Sequence, residues 1–225
     1  VNWGADRDNG LVPAPNEKQQ FDRPVADLFG PYADDRSVGL TSRQDELFRQ
    51  ILELYVASGF SRYTLEQVAT KLRCSKSTIY ALAPSREQLA IAVAVYFFRR
   101  AARRIEEKLR HEDSATRRLE VYLRGVADEL QPLSKTFIDD MAAFEPTRRI
   151  YELNTSIAAG RVRDLLSEGV AADEFREVSV EFVAEVVASA MVSIQTRRMA
   201  GATGLSDAAA YGALADLVVH GIRTL

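Results

Sequence analysis

Thr64-Leu-Glu-Gln-Val-Ala-Thr-Lys-Leu-Arg-Cys-Ser-Lys-Ser-Thr-Ile-Tyr80 holds two short helical patterns with almost nothing between them. Leu65, Val68, Ala69 and Leu72 repeat at helical spacing. Thr64 and Gln67 form a capping box, in which the hydroxyl accepts from a free amide at the helix start. Ser75 caps a further short helix that runs through Ile79 and Tyr80. Arg73, Cys74 and Ser75 alone separate the two, and that spacing is a helix-turn-helix. So short a turn crosses the helices steeply, which suits the small Ala69 where they touch. The second helix of such a pair lays its first residues in a major groove. Here these are Lys76, Ser77 and Thr78, one cation and two hydroxyls that reach phosphates or base edges. Tyr80 offers a phenol one turn on. The alternative for the same residues is an ordinary capped, solvated helix.

The flanks continue the helical pattern. Upstream, Phe48, Ile51, Leu52 and Tyr55 give one apolar face, with Ser42 and Asp45 as an N-terminal cap and Gly59 as the stop. Downstream, Pro84 breaks the chain, and Ser85 to Gln88 is another capping box. The helix it opens extends to about residue 110, apolar at first and strongly basic at its end. Further helices are expected over 114–131, 134–144, 146–168, 178–200 and 206–224, with Gly169 ending the third of these. No alternating strand pattern and no repeat interrupts them, so the fold class is all-α.

The run from Thr64 to Tyr80, followed by Pro84-Ser-Arg-Glu-Gln-Leu89, resembles the DNA-binding domain of the TetR family of bacterial repressors. The matching features are Val68-Ala69, Ser75, Thr78-Ile79-Tyr80 and Ser85-Arg86-Glu87 with Leu89. The likeness covers about 50 residues. Beyond it, Gly169 with Glu174-Phe175-Arg176 is similar to a loop between the seventh and eighth helices of that family. Two positions depart from the pattern. Arg73 stands where glycine is usual, so it either accepts positive φ or sits in a slightly different turn. Ala81-Leu82-Ala83 replaces the aromatic residue usual after the recognition helix.

The resemblance implies a ligand-responsive DNA-binding regulator, usually a repressor, that reads a palindromic operator as a homodimer. Its head is an N-terminal helix-turn-helix over residues 41–90. A helical ligand-binding and dimerisation domain spans 91–225, and a tail precedes both over 1–40. The expected DNA contacts are Arg43, Thr64, Arg73, Ser75, Lys76, Ser77, Thr78, Tyr80 and Arg86. Candidates for a ligand cavity in the body are Tyr122, Phe137, Met141, Phe144, Tyr151, Asn154 and Gln195, each also readable as core or solvated surface. The expected partners are double-stranded operator DNA, a second copy joined through the last two helices, and a small-molecule inducer or corepressor. No membrane partner is expected. A helical interaction protein that keeps the head fold without specific operator binding is the other reading.

Composition agrees with a packed helical protein. Of 225 residues, 47% are hydrophobic and 27% charged, enough apolar surface for a core over most of the chain. One Cys and two His exclude a disulfide framework and a Cys-rich zinc site. Cys74 reads as packing in the turn, and His111 beside Glu112 and Asp113 as a solvated helix end rather than a metal site. No apolar run reaches membrane-spanning length and no signal-peptide order opens the chain, so a cytoplasmic protein is expected. No catalytic constellation, P-loop or dinucleotide fingerprint is present, so neither an enzyme nor a cofactor is expected.

Charge divides the chain. Residues 42–110 carry 13 basic and 7 acidic side chains, whereas residues 111–225 carry 12 basic and 18 acidic. A basic module on an acidic body fits a head that faces a polyanion. Arg99, Arg100, Arg103 and Arg104 supply much of the surplus on one helix face and read as solvated charges partly paired with Glu106 and Glu107. The first 40 residues hold four of the seven prolines and no sustained period.

Overall fold

The computed structural model describes residues 40–222, so the tail expected over residues 1–40 lies almost wholly outside the described residues. Ten helices follow one another among the described residues. In chain order they are α1 (Ser42–Ser58), α2 (Leu65–Lys71), α3 (Lys76–Leu82), α4 (Arg86–Leu109) and α5 (Ala115–Leu130). Then come α6 (Lys135–Ala143), α7 (Glu145–Ala171), α8 (Val180–Gln195), α9 (Arg198–Thr203) and α10 (Asp207–Ile222).

Local chemistry sets most of the starts. Thr41, Thr64, Ser75, Ser85, Ser114, Ser134 and Ser179 each accept a hydrogen bond from the backbone amide three residues on. At Thr41 and Thr64 a glutamine side chain returns the bond and completes the box. The first helix is therefore capped by Thr41, one residue ahead of the expected Ser42.

Two helix ends differ from expectation. Gly169 does not stop α7, which runs to Ala171. It is a contact point instead: a Cβ there would lie 2.0 Å from the ring of Phe175. The stop is made by Asp173 at φ 56°, with its amide bonded to the Val170 carbonyl and that of Glu174 to the Gly169 carbonyl. The helix expected over 178–200 is broken at Arg197, which takes φ 63° and ion-pairs with the buried Asp207. Its remainder is the short α9, closed by Gly204.

α1, α2 and α3 pack around Ile51, Tyr55, Val68 and Ile79, all fully buried. α4 joins this head to the body, with its first half against α1 and its second against α5 and α7. The boundary drawn at residue 90 thus falls inside a continuous helix. In the body α5 lies along α10, and α7 along α8. One apolar core runs through both parts.

The joint has its own polar lock. Asp140 on α6 accepts from the amides of Phe60 and Ser61 at 2.6 and 2.9 Å, in the turn between α1 and α2. The amide of Ser134 donates to the Val56 carbonyl. Gly59, at φ 80°, allows the approach, since a Cβ there would lie 2.5 Å from the Asp140 carboxylate. Phe60 meets Phe137 edge-on at 6.1 Å, and Phe137 in turn meets Phe97 at 6.5 Å.

A second lock joins α5 to the α7–α8 loop. The Glu174 carboxylate accepts from the Ala115 and Thr116 amides and the Ser114 hydroxyl. These bonds, the Thr116 amide foremost, hold its carboxyl down at about 2. Arg176 reaches the other way and donates to the carbonyls of Gly221 and Ile222 at the end of α10.

Candidate nucleic-acid interface and body cavity

The turn between α2 and α3 is closed by backbone bonds alone. The Arg73 amide donates to Thr70 and that of Cys74 to Ala69, an arrangement that requires a left-handed residue between them. Arg73 takes that conformation at φ 53°, so the sequence departure is absorbed by positive φ rather than by a different turn. Cys74 is half-buried and packs against the core.

α3 projects from this turn with its N-terminal side chains outward. Lys76, Ser77 and Tyr80 are exposed, and Thr78 is half-buried. Ser75 Oγ lies 2.8 Å from Ser77 Oγ and 2.7 Å from Thr78 Oγ1, so the three hydroxyls form one cluster at the helix start. Tyr80 donates its phenol to Glu66 Oε1 at 2.9 Å, which raises the phenol's pKa; the carboxyl of Glu66 is lowered by its own backbone amide first and by this bond second. Glu66 is a residue that sequence reasoning passed over. It tethers α3 to α2 and sets the direction of the Tyr80 ring.

Thr64 and Arg73 are exposed at the two ends of α2. Arg86 is exposed at the start of α4, where it donates to the Ser61 carbonyl at 3.1 Å and pairs with Glu87 at 3.3 Å. Arg86 is therefore tied to the α1–α2 turn. Arg43 is not brought to this group. It sits in the first turn of α1, about 24 Å of helix away from the turn that leads to Thr64. That end of α1 lies against the middle of α4, where Tyr96 bonds Asp45. Among the described residues, Arg99, Arg100 and Arg103 form no ion pair, whereas Arg104 pairs with Glu129. The expected partners are taken elsewhere: Glu106 by Arg161 and Glu107 by Arg110.

The body holds a half-open cavity of about 320 Å³ between α4, α5, α7 and α10. Of the seven expected ligand residues, Tyr122, Tyr151 and Asn154 line it. Phe137, Met141 and Phe144 do not; they sit at the joint with the head, where Phe137 and Phe144 pack edge-on against Phe60. Gln195 is buried at the end of α8, outside the lining. Sequence reasoning missed Phe97, Phe98, Tyr211, Glu106, Glu129 and Arg161 as lining residues. The available signal was a pair of opposite charges, Glu106 and Arg161, placed inside long helices and joined here at 2.9 Å. Burial raises the pKa of Glu129, with Arg104 acting against it. No cluster of metal-ligating side chains occurs among the described residues, and no described helix is long and apolar enough to cross a membrane.

No family model and no curated protein matches the sequence. Solved structures do share its architecture. A transcriptional regulator from Cytophaga hutchinsonii ATCC 33406 superposes with a TM-score of 0.65 at 17% identity, covering 82% of this chain and 100% of that one. A TetR transcription regulator from Haloarcula marismortui ATCC 43049 gives 0.65 at 16% identity, with coverage of 82% and 100%. A transcriptional regulator from Saccharomonospora viridis, solved in complex with choline, gives 0.64 at 15% identity and the same coverage. The chain has the fold of the TetR-family transcriptional regulators, a helix-turn-helix head on a helical body.

Proposed function

We propose that this protein is a ligand-responsive transcriptional regulator, a repressor that binds a palindromic operator as a homodimer. The observation that carries the reading is the capped recognition helix α3, with Lys76, Ser77 and Tyr80 exposed on a head of TetR-type fold. Lys76 and the hydroxyl cluster of Ser75, Ser77 and Thr78 contact phosphates and base edges. Thr64, Arg73 and Arg86 flank them as phosphate contacts. Arg43 stands apart and serves at most the adjoining backbone.

Dimerisation through α8 and α10 is supported by apolar side chains left on the outside of the body. Phe182 is 69% and Leu217 72% exposed, with Val186 beside Phe182 on α8 and Ala209 and Ala213 in line with Leu217 on α10. Small residues in such a stripe let helices approach closely. Two heads at a fixed spacing bind two half-sites far more tightly than one head alone. A small molecule in the body cavity acts as inducer or corepressor by favouring one head spacing over another. The Saccharomonospora regulator solved in complex with choline supports a small-molecule ligand for a protein of this fold.

The test is selection of duplexes from a random pool, followed by titration of the winner and a scrambled duplex across a salt series. Selective binding is expected. Lys76→Ala should weaken it and reduce the salt slope by about one. Equal, weak binding to both duplexes, unchanged in Lys76→Ala and Tyr80→Phe, would reject operator recognition.

A further inference from the structure

One face of α4 carries a row of cations. Tyr96, Arg99, Arg100 and Arg103 follow one another at three- and four-residue steps, so they share one side of the helix. Among the described residues none of these three arginines has a carboxylate partner, whereas their neighbours Arg104 and Lys108 pair with Glu129 and Asp128. Arg99 and Arg100 are half-buried and Arg103 is exposed. Burial lowers the pKa of Arg99.

The chain enters the fold beside this row. Asp45 accepts from the Tyr96 phenol at 3.1 Å, and Phe48 stacks on the Tyr96 ring with centroids 5.5 Å apart. At the other end Arg86 bonds Ser61, just past α1. α1 therefore runs antiparallel to α4 and begins level with Tyr96, which leaves the arginine row beyond its start. Burial and the Asp45 bond raise the pKa of the Tyr96 phenol while the charges of Arg100 and Arg103 act against them, so both arginines lie close to the first turn of α1. Leu40, the residue before that turn's cap, is half-buried against the core.

The segment ahead of Leu40 supplies the opposite charge. Residues 22–35 hold Asp22, Asp27, Asp34 and Asp35 against Arg23 alone. From Asp35 to Leu40 the chain spans at most about 18 Å, and Tyr96 to Arg103 is about 10 Å of helix. Asp34 and Asp35 are thus within reach of the row. The row itself begins about 20 Å along α4 from Arg86, apart from the proposed grip on the operator.

We propose that the acidic stretch over residues 22–35 docks on the arginine face of α4, with Asp34 and Asp35 opposite Arg99, Arg100 and Arg103. The contact lies within one chain and clips the segment ahead of α1 to the helix that joins head and body. Exposed ion pairs are weak singly, but a short tether holds these groups at high local concentration, so several act together. Operator DNA is not required, so the inference stands apart from the regulator reading.

Trypsin cleavage after Arg36 in the DNA-free full chain, followed by mass spectrometry, reads the contact, because that bond is unchanged when α4 is altered. The triple variant Arg99→Ser, Arg100→Ser, Arg103→Ser should be cut about five-fold faster than the parent in about 50 mM salt, and equally fast in about 1 M salt. Arg103→Ser alone, at an exposed position, should give a smaller rise of the same sign, with circular dichroism confirming the fold. Lysine at all three positions should keep the protection, and Lys108→Ser, which removes a paired cation from the same helix, should leave it intact. Equal cutting of the parent and both serine variants in low salt overturns the proposal. So does a rise in Lys108→Ser as large as that in Arg103→Ser, which would indicate a diffuse field instead of a docked face. Protection that fades on dilution overturns it too, since the occupant is then a second copy. Unchanged cutting with weaker DNA binding by the triple variant would give the face to DNA instead.

Discussion

At the scale of single residues, short-range bonds define the head and long-range ones fix the body. Glu174 is the sharpest case, since its carboxylate caps α5 from about 60 residues downstream. Its carboxyl is held at about 2, below the ordinary 4.5, so the charged form is the one that stabilises the fold. That contribution is present above about 4.5 and is lost as pH falls toward 2. Replacing Glu174 with Gln should cost about 1 kcal/mol at neutral pH, as removal of a good cap does. Thermal unfolding of both proteins from pH 7 to pH 2 checks this. The gap should close as the parent carboxyl takes up its proton; a gap independent of pH would contradict the account.

Among whole elements, the joint between α1, α4 and α6 matters most. Asp140 satisfies two amides of the α1–α2 turn, and Phe60 lodges between Phe137 and Phe144. Asp140→Ala strands the Phe60 amide and leaves that of exposed Ser61 to water, and should cost about 2 kcal/mol by urea unfolding, with Asp140→Asn losing less. An Ala variant as stable as the parent would show that the turn is held by its rings alone. The contrast between the two joints explains what the sequence disclosed. Thr64 with Gln67, Ser75 and Ser85 were legible because a cap and its amide are three residues apart. Asp140 and the capping role of Glu174 were not, because their partners become neighbours only once α6 and the α7–α8 loop are in place. The same limit separates Tyr122 from Phe137. Both are aromatic residues on amphipathic helices, and only the spacing between helices makes one a cavity wall and the other a joint. The break at Arg197 was hidden too, since an arginine in the left-handed region is held there by a tertiary contact with Asp207.

At the scale of the whole molecule, the exposed faces of α8 and α10 are the proposed seat of assembly. Leu217→Glu places a charge where the proposed partner packs and should convert the dimer to a monomer by sedimentation velocity, while circular dichroism stays unchanged. A dimer that survives this change would move the interface elsewhere. The remaining consequence belongs to α4. It carries Arg86 at the head and Ile105 and Glu106 in the cavity wall on one unbroken 24-residue rod. Such a rod is about 36 Å long, so a pivot of about 5° at the cavity end sweeps the Arg86 end through about 3 Å. On the proposed reading the helix would act as a lever: a guest that shifted its cavity end by such a pivot would displace the proposed Arg86 grip on a phosphate by about the length of a hydrogen bond.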